Sequence, residues 1–137
     1  MSIYVLEPTI ALPEHEVNKV DDLLRFLELK ENRKLNILFR KSGIKKRHFF
    51  VNFDNEELNQ TMMEVCLEAS KKLFNNYEID PGDIDCIITC FNSAQIQLPG
   101  LSSRLFKTIG FKEAIPHYPL VGLGCGAFTG AVDLARK

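Results

Sequence analysis

Cys125 is the residue of this sequence whose type and setting best suit covalent chemistry. Gly124 and Gly126 flank it, an apolar stretch over residues 115–123 precedes it, and an apolar helical pattern begins at Ala127. Glycine on both sides permits a sharp turn that aims the side chain into a cavity. Unpaired N–H groups and the dipole at a helix start favour the thiolate, the nucleophilic form of cysteine. The pattern predicts a nucleophile on a strand-to-helix turn.

A structural role for Cys125 is the alternative, because free cysteine is among the most buried residue types. The segment over residues 127–135 is apolar almost all round and is predicted to be a buried helix. A nucleophile carried on such a helix would be held rigidly, as acyl transfer requires. Both interpretations stay open on these residues alone.

The elements that must position Cys125 alternate along the chain. The residue patterns predict strands over residues 2–12, 44–53, 84–90 and 115–123, and helices over residues 16–29, 35–41, 54–74, 101–109 and from 127 onward. Asp54 with Glu57 three residues later resembles a capping box at the start of the third helix. This alternation favours an α/β layered fold with helices packed on a mixed β-sheet.

The composition indicates a globular protein. Of the 137 residues, 45% are hydrophobic and 26% are charged, which excludes a disordered tail. The sequence shows no signal-peptide pattern and no apolar run of about 20 residues, so we expect a cytoplasmic protein with no membrane association.

The other cysteines are expected to be core residues. These are Cys66, Cys86 and Cys90, and together with Cys125 they form no Cys-x-x-Cys pair. The spacing argues against a metal site or a disulfide framework and favours reduced thiols.

The basic residues are unevenly distributed. The formal net charge is -1, which gives no field to attract nucleic acid. Residues 33–48 nevertheless contain no acid and seven basic side chains: Arg33, Lys34, Arg40, Lys41, Lys45, Lys46 and Arg47. Such a cluster favours either a small anionic ligand or a solvated face.

Three segments together resemble type III polyketide synthases, the chalcone synthase-like branch of the thiolase-type condensing enzymes. Residues 119–125 (PLVGLGC) resemble the nucleophile segment of that family, and residues 41–48 (KSGIKKRH) resemble an early basic motif. Residues 93–100, which end in Leu98-Pro99-Gly100, resemble the loop that reaches toward the partner subunit's active-site cavity. The matches fall in the order found in the family.

The resemblance implies a thiolase-like fold and a chemistry. Cys125 would accept an acyl group from a coenzyme A thioester, and malonyl-coenzyme A would lose carbon dioxide and attack that thioester. A His and an Asn would assist, and in the family both lie downstream of the cysteine segment, outside this chain. His15, His48 and His117 are not assigned that role. The implied substrates are acyl-coenzyme A and malonyl-coenzyme A, the implied assembly is a homodimer, and no permanently bound cofactor is implied.

The family's phosphate-contacting positions fall partly on basic residues. Lys34 and Lys41 match two of them, whereas Ile37 occupies a third, so Arg33 or Arg40 would replace that contact. Solvated surface charge is the alternative for each of these side chains. Ser93, Leu98, Pro99 and Gly100 are expected at the cavity and the dimer loop.

The chain also departs from the family pattern. Phe128-Thr129 stands where many plant members have small residues, and the loop before Leu98 is one residue longer. No helix-ending residue precedes Lys137. Residues 1–137 are therefore expected to be the N-terminal part of a thiolase-like domain, truncated within the helix after Cys125. Such a piece is expected to be inactive and unstable alone.

Two further interpretations remain open. Other coenzyme A condensing enzymes, such as ketoacyl-acyl carrier protein synthase III or hydroxymethylglutaryl-coenzyme A synthase, place a cysteine at the same turn. A non-catalytic half-fold is the third interpretation, because a cysteine without its partner groups gives little turnover.

Overall fold

A computed structural model describes residues 4–17, 22–24, 33–92, 98–112 and 114–137 of the chain. The chain divides into two compact units, Ala11–Val65 and a unit formed by Met1–Ile10 with Cys66–Lys137. The helices are α1 (Arg33–Lys41), α2 (Met62–Tyr77), α3 (Leu101–Ile109) and α4 (Ala127–Ala135), and the strands are β1 (His15–Val17), β2 (Arg47–Phe49), β3 (Ile87–Phe91) and β4 (His117–Val121). Short 3-10 turns cover Pro81–Asp83 and Gly124–Gly126.

The Ala11–Val65 unit contains an antiparallel pair of strands, β1 and β2, in which Glu16 lies opposite His48. Lys46 Nζ approaches Glu16 Oε1 to 3.0 Å beside this pair. Val17, Leu23 and Leu24 are buried. The predicted strand over residues 2–12 is wrong for the residues described, since residues 4–13 form no regular structure. The predicted helix over 16–29 is also wrong at its start, because Glu16 and Val17 belong to β1.

α2 begins later than the sequence pattern predicted. Residues 54–60 are turn and extended chain, in which the Asn55 side chain accepts a hydrogen bond from the Glu57 N–H at 3.1 Å. The capping box is formed instead by Thr61 and Glu64: Glu64 Oε2 accepts from the Thr61 N–H at 2.7 Å, and Thr61 Oγ1 accepts from the Glu64 N–H at 3.3 Å. The prediction placed on Asp54 is therefore wrong, since local side-chain turns occupy that segment.

The second unit is built on the parallel pair of β3 and β4, in the register Ile87↔His117 to Phe91↔Val121. α3 and α4 pack on opposite faces of this pair. The Cys90 Sγ lies 3.5 Å from the Ala127 carbonyl oxygen, on the α4 face, and the rings of Phe106 and His117 lie 4.8 Å apart on the α3 face. Because side chains alternate along a strand, these contacts assign a face to every residue of the pair.

The core of this unit lies between the strands and the two helices, where Leu105, Ile115 and Ala127 are buried. α3 has the predicted bounds and ends at Gly110, whose φ of 84° is the left-handed conformation that glycine adopts freely. The α/β layered fold class is thus confirmed. The described strands form one antiparallel and one parallel pair, which belong to separate sheets.

Candidate nucleophile site

Cys125 lies in the middle of the 3-10 turn Gly124–Gly126, between the end of β4 and the start of α4. Only Gly122 and Leu123 separate the strand from this turn. Gly122 has φ 74° and Gly124 has φ 57°, so two sharp left-handed residues reverse the chain ahead of the cysteine. A residue with a Cβ is strained in this conformation, which explains the glycines.

The glycine that follows Cys125 has a different role from the one predicted. Gly126 has φ -77° and ψ -11°, a right-handed conformation open to any residue. The turn is therefore made by Gly122 and Gly124, of which Gly122 was not among the predicted turn residues. The Gly-x-Gly spacing directly before Cys125 was the signal that could have identified it.

The turn is tied to the neighbouring strand by two contacts. The Gly122 N–H donates to the Phe91 carbonyl oxygen at 3.4 Å, at the end of β3. The Cys90 thiol contacts the Ala127 carbonyl oxygen in the first turn of α4. Cys125 is thus placed by backbone that is bonded to the sheet on both sides of it.

Some N–H groups at the start of α4 are already used. The Gly126 N–H donates to the Leu123 carbonyl oxygen at 3.2 Å, and the Ala127 N–H donates to the Gly124 carbonyl oxygen. The Cys125 residue is exposed. The structure therefore offers an accessible thiol at a helix N-terminus, and any oxyanion formed there needs donors other than these two N–H groups.

The remaining cysteines differ in their environments. Cys66 is partly buried, and burial raises the pKa of its thiol. Cys86 and Cys90 are exposed, so their predicted place in the core is wrong: β3 and β4 form only a two-stranded pair in the described residues, which leaves part of each strand face uncovered. Partial desolvation also raises the pKa of the Cys86 thiol.

A cavity of about 380 Å³ lies at the opposite end of α4 from Cys125. It is lined by Cys86, Ile88, Pro116, Tyr118, Leu134, Ala135 and Lys137. Its position shows that the apolar face of the β3–β4 pair is only partly covered by α4.

The histidines make structural contacts. His117 packs on Phe106, and His48 Nδ1 lies 2.8 Å from the Pro13 carbonyl oxygen. His15 Nε2 accepts a hydrogen bond from the Phe53 N–H at 3.3 Å. The assignment of all three outside the catalytic set stays a prediction.

The predicted phosphate-binding residues lie on α1, in the Ala11–Val65 unit. Lys34, Arg40 and Lys41 are exposed, and Arg40 and Lys41 occupy the last turn, where positive charge suits the helix dipole. Ile37 lies one turn after Lys34 and is 44% exposed. The guanidinium of Arg47 stacks on the Phe39 ring with Cζ 4.9 Å from the centroid.

The predicted loop residues lie at the start of α3. Leu98 is 88% exposed and is joined to Pro99 by a cis peptide bond. Gly100 precedes the first residue of α3, and its carbonyl oxygen accepts from the Arg104 N–H at 3.1 Å. Ser93 lies outside the described residues.

Comparison with solved structures defines the class of fold. AbyA1, a tetronic acid condensing enzyme, superposes with a TM-score of 0.77 at 21% identity, over 96% of this chain and 39% of that one. OleA of Xanthomonas campestris superposes with a TM-score of 0.69 at 16% identity, over 93% of this chain and 37% of that one. The fold is that of the thiolase-type condensing enzymes, as the motifs predicted.

The family follows from the sequence. The model for FAE1/type III polyketide synthase-like proteins matches residues 23–137, and the chain belongs to this family. The resemblance drawn from the three motifs is confirmed.

Individual relatives agree with this assignment. 3-Ketoacyl-CoA synthase 5 of Arabidopsis thaliana is 35% identical over 79 residues, which is 57% of this chain and 15% of that protein. The 1,3,6,8-tetrahydroxynaphthalene synthase of Streptomyces griseus is 23% identical over 94% of this chain and 38% of that protein. The beta-ketoacyl-acyl-carrier-protein synthase III of Lactococcus lactis (strain MG1363) is 25% identical over 92% of this chain and 34% of that protein. The chain thus spans well under half of the curated relatives it matches. In the described part of the chain, no helix is both long and apolar enough to cross a membrane.

Proposed function

We propose that the protein carrying this chain is an acyltransferase that condenses an acyl-coenzyme A starter with malonyl-coenzyme A through a thioester on Cys125. One observation carries the proposal: the exposed Cys125 thiol stands on a glycine-formed turn between a parallel strand and a helix N-terminus. This turn lies inside the segment that matches the family.

The first half-reaction is thioester exchange. The Cys125 thiolate attacks the carbonyl carbon of the acyl-coenzyme A, a sulfur–carbon bond forms, and the bond to the coenzyme A sulfur breaks. Coenzyme A leaves as a thiolate and takes up a proton.

The second half-reaction forms the carbon–carbon bond. Malonyl-coenzyme A releases carbon dioxide, and the electron pair of the broken bond attacks the carbonyl carbon of the Cys125 thioester. The thioester bond breaks and Cys125 leaves as a thiolate, ready for another acyl group. This step needs oxyanion donors from outside the Gly126 and Ala127 N–H groups, which are bonded within the turn.

The proposal includes coenzyme A binding by α1. Lys34, Arg40 and Lys41 match or neighbour the family's basic positions, and all three side chains are exposed. Because phosphate groups form strong charge-assisted hydrogen bonds with lysine and arginine, this basic surface suits the phosphates of coenzyme A.

The proposal also includes a homodimer that works in the cytoplasm. The exposed Leu98 and its neighbours Pro99 and Gly100 would contact the partner's substrate cavity together with Ser93. The free cysteines support a reducing compartment.

A ketoacyl-acyl carrier protein synthase III reaction is the second candidate. The lactococcal relative favours it, because its identity to this chain is 25% over nearly the same span as the 23% of the tetrahydroxynaphthalene synthase. The extender substrate separates the two, since only the polyketide reaction uses malonyl-coenzyme A directly. Product formation from malonyl-acyl carrier protein and not from malonyl-coenzyme A would favour the second candidate.

Intact-mass measurement tests the nucleophile. The purified complete protein is incubated with an acyl-coenzyme A, and we expect one acyl adduct that maps to Cys125. The adduct is expected to vanish in Cys125→Ala and to persist in Cys86→Ala, which removes another exposed thiol. An adduct that survives Cys125→Ala, or no adduct on any thiol, would contradict the proposal and favour a non-catalytic half-fold.

A further inference from the structure

The immediate surroundings of Cys125 contain few side chains of any size. Within three residues on either side, the large ones are Leu123 and Phe128, which are 55% and 74% exposed. The other neighbours are glycine or alanine, and Ala127 is buried. The thiol is therefore bordered by small residues and two exposed apolar side chains.

Phe128 lies on the same side of the chain as Cys125. Residues three apart share a face in a helical turn, and the backbone is helical from the 3-10 turn into α4. Side chains on a helix also lean toward its N-terminus, which here is the cysteine end. This spacing puts Phe128 on the Cys125 side of the helix start.

The chain segment around Cys125 is uncharged. Residues 114–132 contain no Asp, Glu, Lys or Arg, so this segment itself offers no counter-charge to an ionic group bound beside Cys125. An apolar occupant is favoured, because covering an exposed phenyl ring removes apolar surface from water. The acyl chain of a thioester is apolar and is attached at Cys125 itself, whereas its polar coenzyme A portion leaves after transfer.

We infer that Phe128 is a specificity-determining residue whose ring forms a wall for the acyl chain carried by Cys125. The inference rests on the proposed function. A ring on one side of the chain favours unbranched acyl groups long enough to lie along it, and it excludes groups branched close to the carbonyl.

Alkylation by a homologous series of reagents tests the wall without any catalytic step. N-alkyl chloroacetamides with tails from methyl to hexyl are reacted with the purified protein; the thiolate sulfur bonds to the methylene carbon and chloride leaves. Peptide mass spectrometry then gives a rate for each cysteine. We expect the rate at Cys125 to rise about tenfold from the methyl to the hexyl reagent, as partial burial of five methylene groups allows.

Variants separate Phe128 from general surface effects. Phe128→Ala should reduce the rise at Cys125 to about threefold or less, and Phe128→Leu should give an intermediate rise, since part of the apolar area remains. Tyr118→Ala is the matched control: it also truncates a partly exposed aromatic, but beside Cys86 in the cavity at the other end of α4. It should leave the rise at Cys125 unchanged. Unchanged melting curves for each variant would show that the fold is retained.

The outcomes are distinct. A rise at Cys125 that is lost only in the Phe128 variants supports the wall. The wall would be overturned by equal rates for all tails in the unsubstituted protein, or by an undiminished rise in Phe128→Ala. Either result is expected if another segment of the protein covers the Phe128 ring. A full rise accompanied by no acyl transfer from acyl-coenzyme A would overturn the proposed function alone, because alkylation requires no group besides the thiol.

Discussion

Alanine replacement of the two glycines that flank Cys125 provides a matched pair of perturbations. A Cβ added at Gly124 or at Gly126 meets nothing within 4 Å, so neither substitution creates a steric clash. The two positions differ in backbone conformation: φ is 57° at Gly124 and -77° at Gly126. Any difference between the variants therefore reports the conformation alone.

The magnitudes follow from the backbone preferences. Alanine in the left-handed conformation costs about 1–2 kcal/mol, so Gly124→Ala should lower the free energy of unfolding by that amount. Gly126→Ala places alanine in helical backbone at the start of α4, where it should be neutral or stabilise by up to about 1 kcal/mol. We therefore expect the free energy of unfolding to be about 1–3 kcal/mol lower in Gly124→Ala than in Gly126→Ala. Equal roles for the two glycines would give equal changes instead.

Chemical and thermal unfolding of the purified protein measures the difference. Gly124→Ala should melt a few degrees lower than the unsubstituted protein. Gly126→Ala should melt at the same temperature or slightly higher. Gly124→Asn should lie between Gly124→Ala and glycine, because asparagine tolerates the left-handed conformation better than alanine.

Equal losses of stability in Gly124→Ala and Gly126→Ala would refute the reasoning. That result would mean that both glycines serve close packing against another part of the protein. A loss confined to Gly126→Ala would refute the description of the turn itself.

Four further outcomes can be measured. Thr61→Ala should lower the free energy of unfolding by about 1 kcal/mol through loss of the α2 cap, as read from the unfolding midpoint. The Thr61 N–H and then the Thr61 hydroxyl lower the pKa of Glu64 in the folded state. The stability that the Glu64 carboxylate contributes is therefore present above the ordinary carboxyl pKa and is lost as pH falls through the lowered value. Glu64→Gln should remove this acid dependence of the unfolding midpoint. Leu105→Ala, at a buried position of α3, should cost about 2–4 kcal/mol in the same assay. Lys41→Glu should weaken coenzyme A binding about tenfold in a calorimetric titration, whereas Lys71→Glu on α2 should leave it unchanged.

The sequence predicted the structure best where a single local residue ends a helix or forms a turn. Gly110 ends α3 at the predicted residue, because a left-handed glycine stops a helix whatever surrounds it. The turn at Cys125 was predicted for a similar reason, since Gly124 adopts a left-handed conformation that other residues resist. β3 and β4 were also predicted, with ends displaced by one to three residues.

The predictions failed where a segment needs a neighbouring strand to pair with, and where two nearby residue patterns both fit the same helix start. Residues 4–13 carry strand-like residues but pair with no strand; Thr9 instead donates its hydroxyl hydrogen to the Ala69 carbonyl oxygen at 2.8 Å. Asp54…Glu57 and Thr61…Glu64 both fit a capping box, and periodicity alone does not choose between them. The turn around Asn55 excludes the Asp54 cap, because the Asn55 side chain accepts a hydrogen bond from the Glu57 N–H, which a cap at Asp54 would need.

The placement of Cys125 rests mainly on backbone, together with the contact of the Cys90 thiol with the Ala127 carbonyl oxygen. A parallel strand bonded to its neighbour sets the position of Val121, and only Gly122 and Leu123 intervene before the 3-10 turn. The Gly122 N–H is bonded to the Phe91 carbonyl oxygen, so the residue that follows β4 is fixed to β3. α4 then starts directly after the 3-10 turn that contains Cys125.

This construction separates two properties of the site. The position of the thiol follows from glycine conformations and strand pairing, which surface substitutions on α4 do not alter. Phe128, by contrast, is an exposed side chain, and its substitution should have little effect on the fold. Under the proposed function, selectivity for the acyl group would vary at Phe128 while Cys125 stays in place. The alkylation experiment therefore reports on Phe128, and the unfolding experiment reports on the glycines.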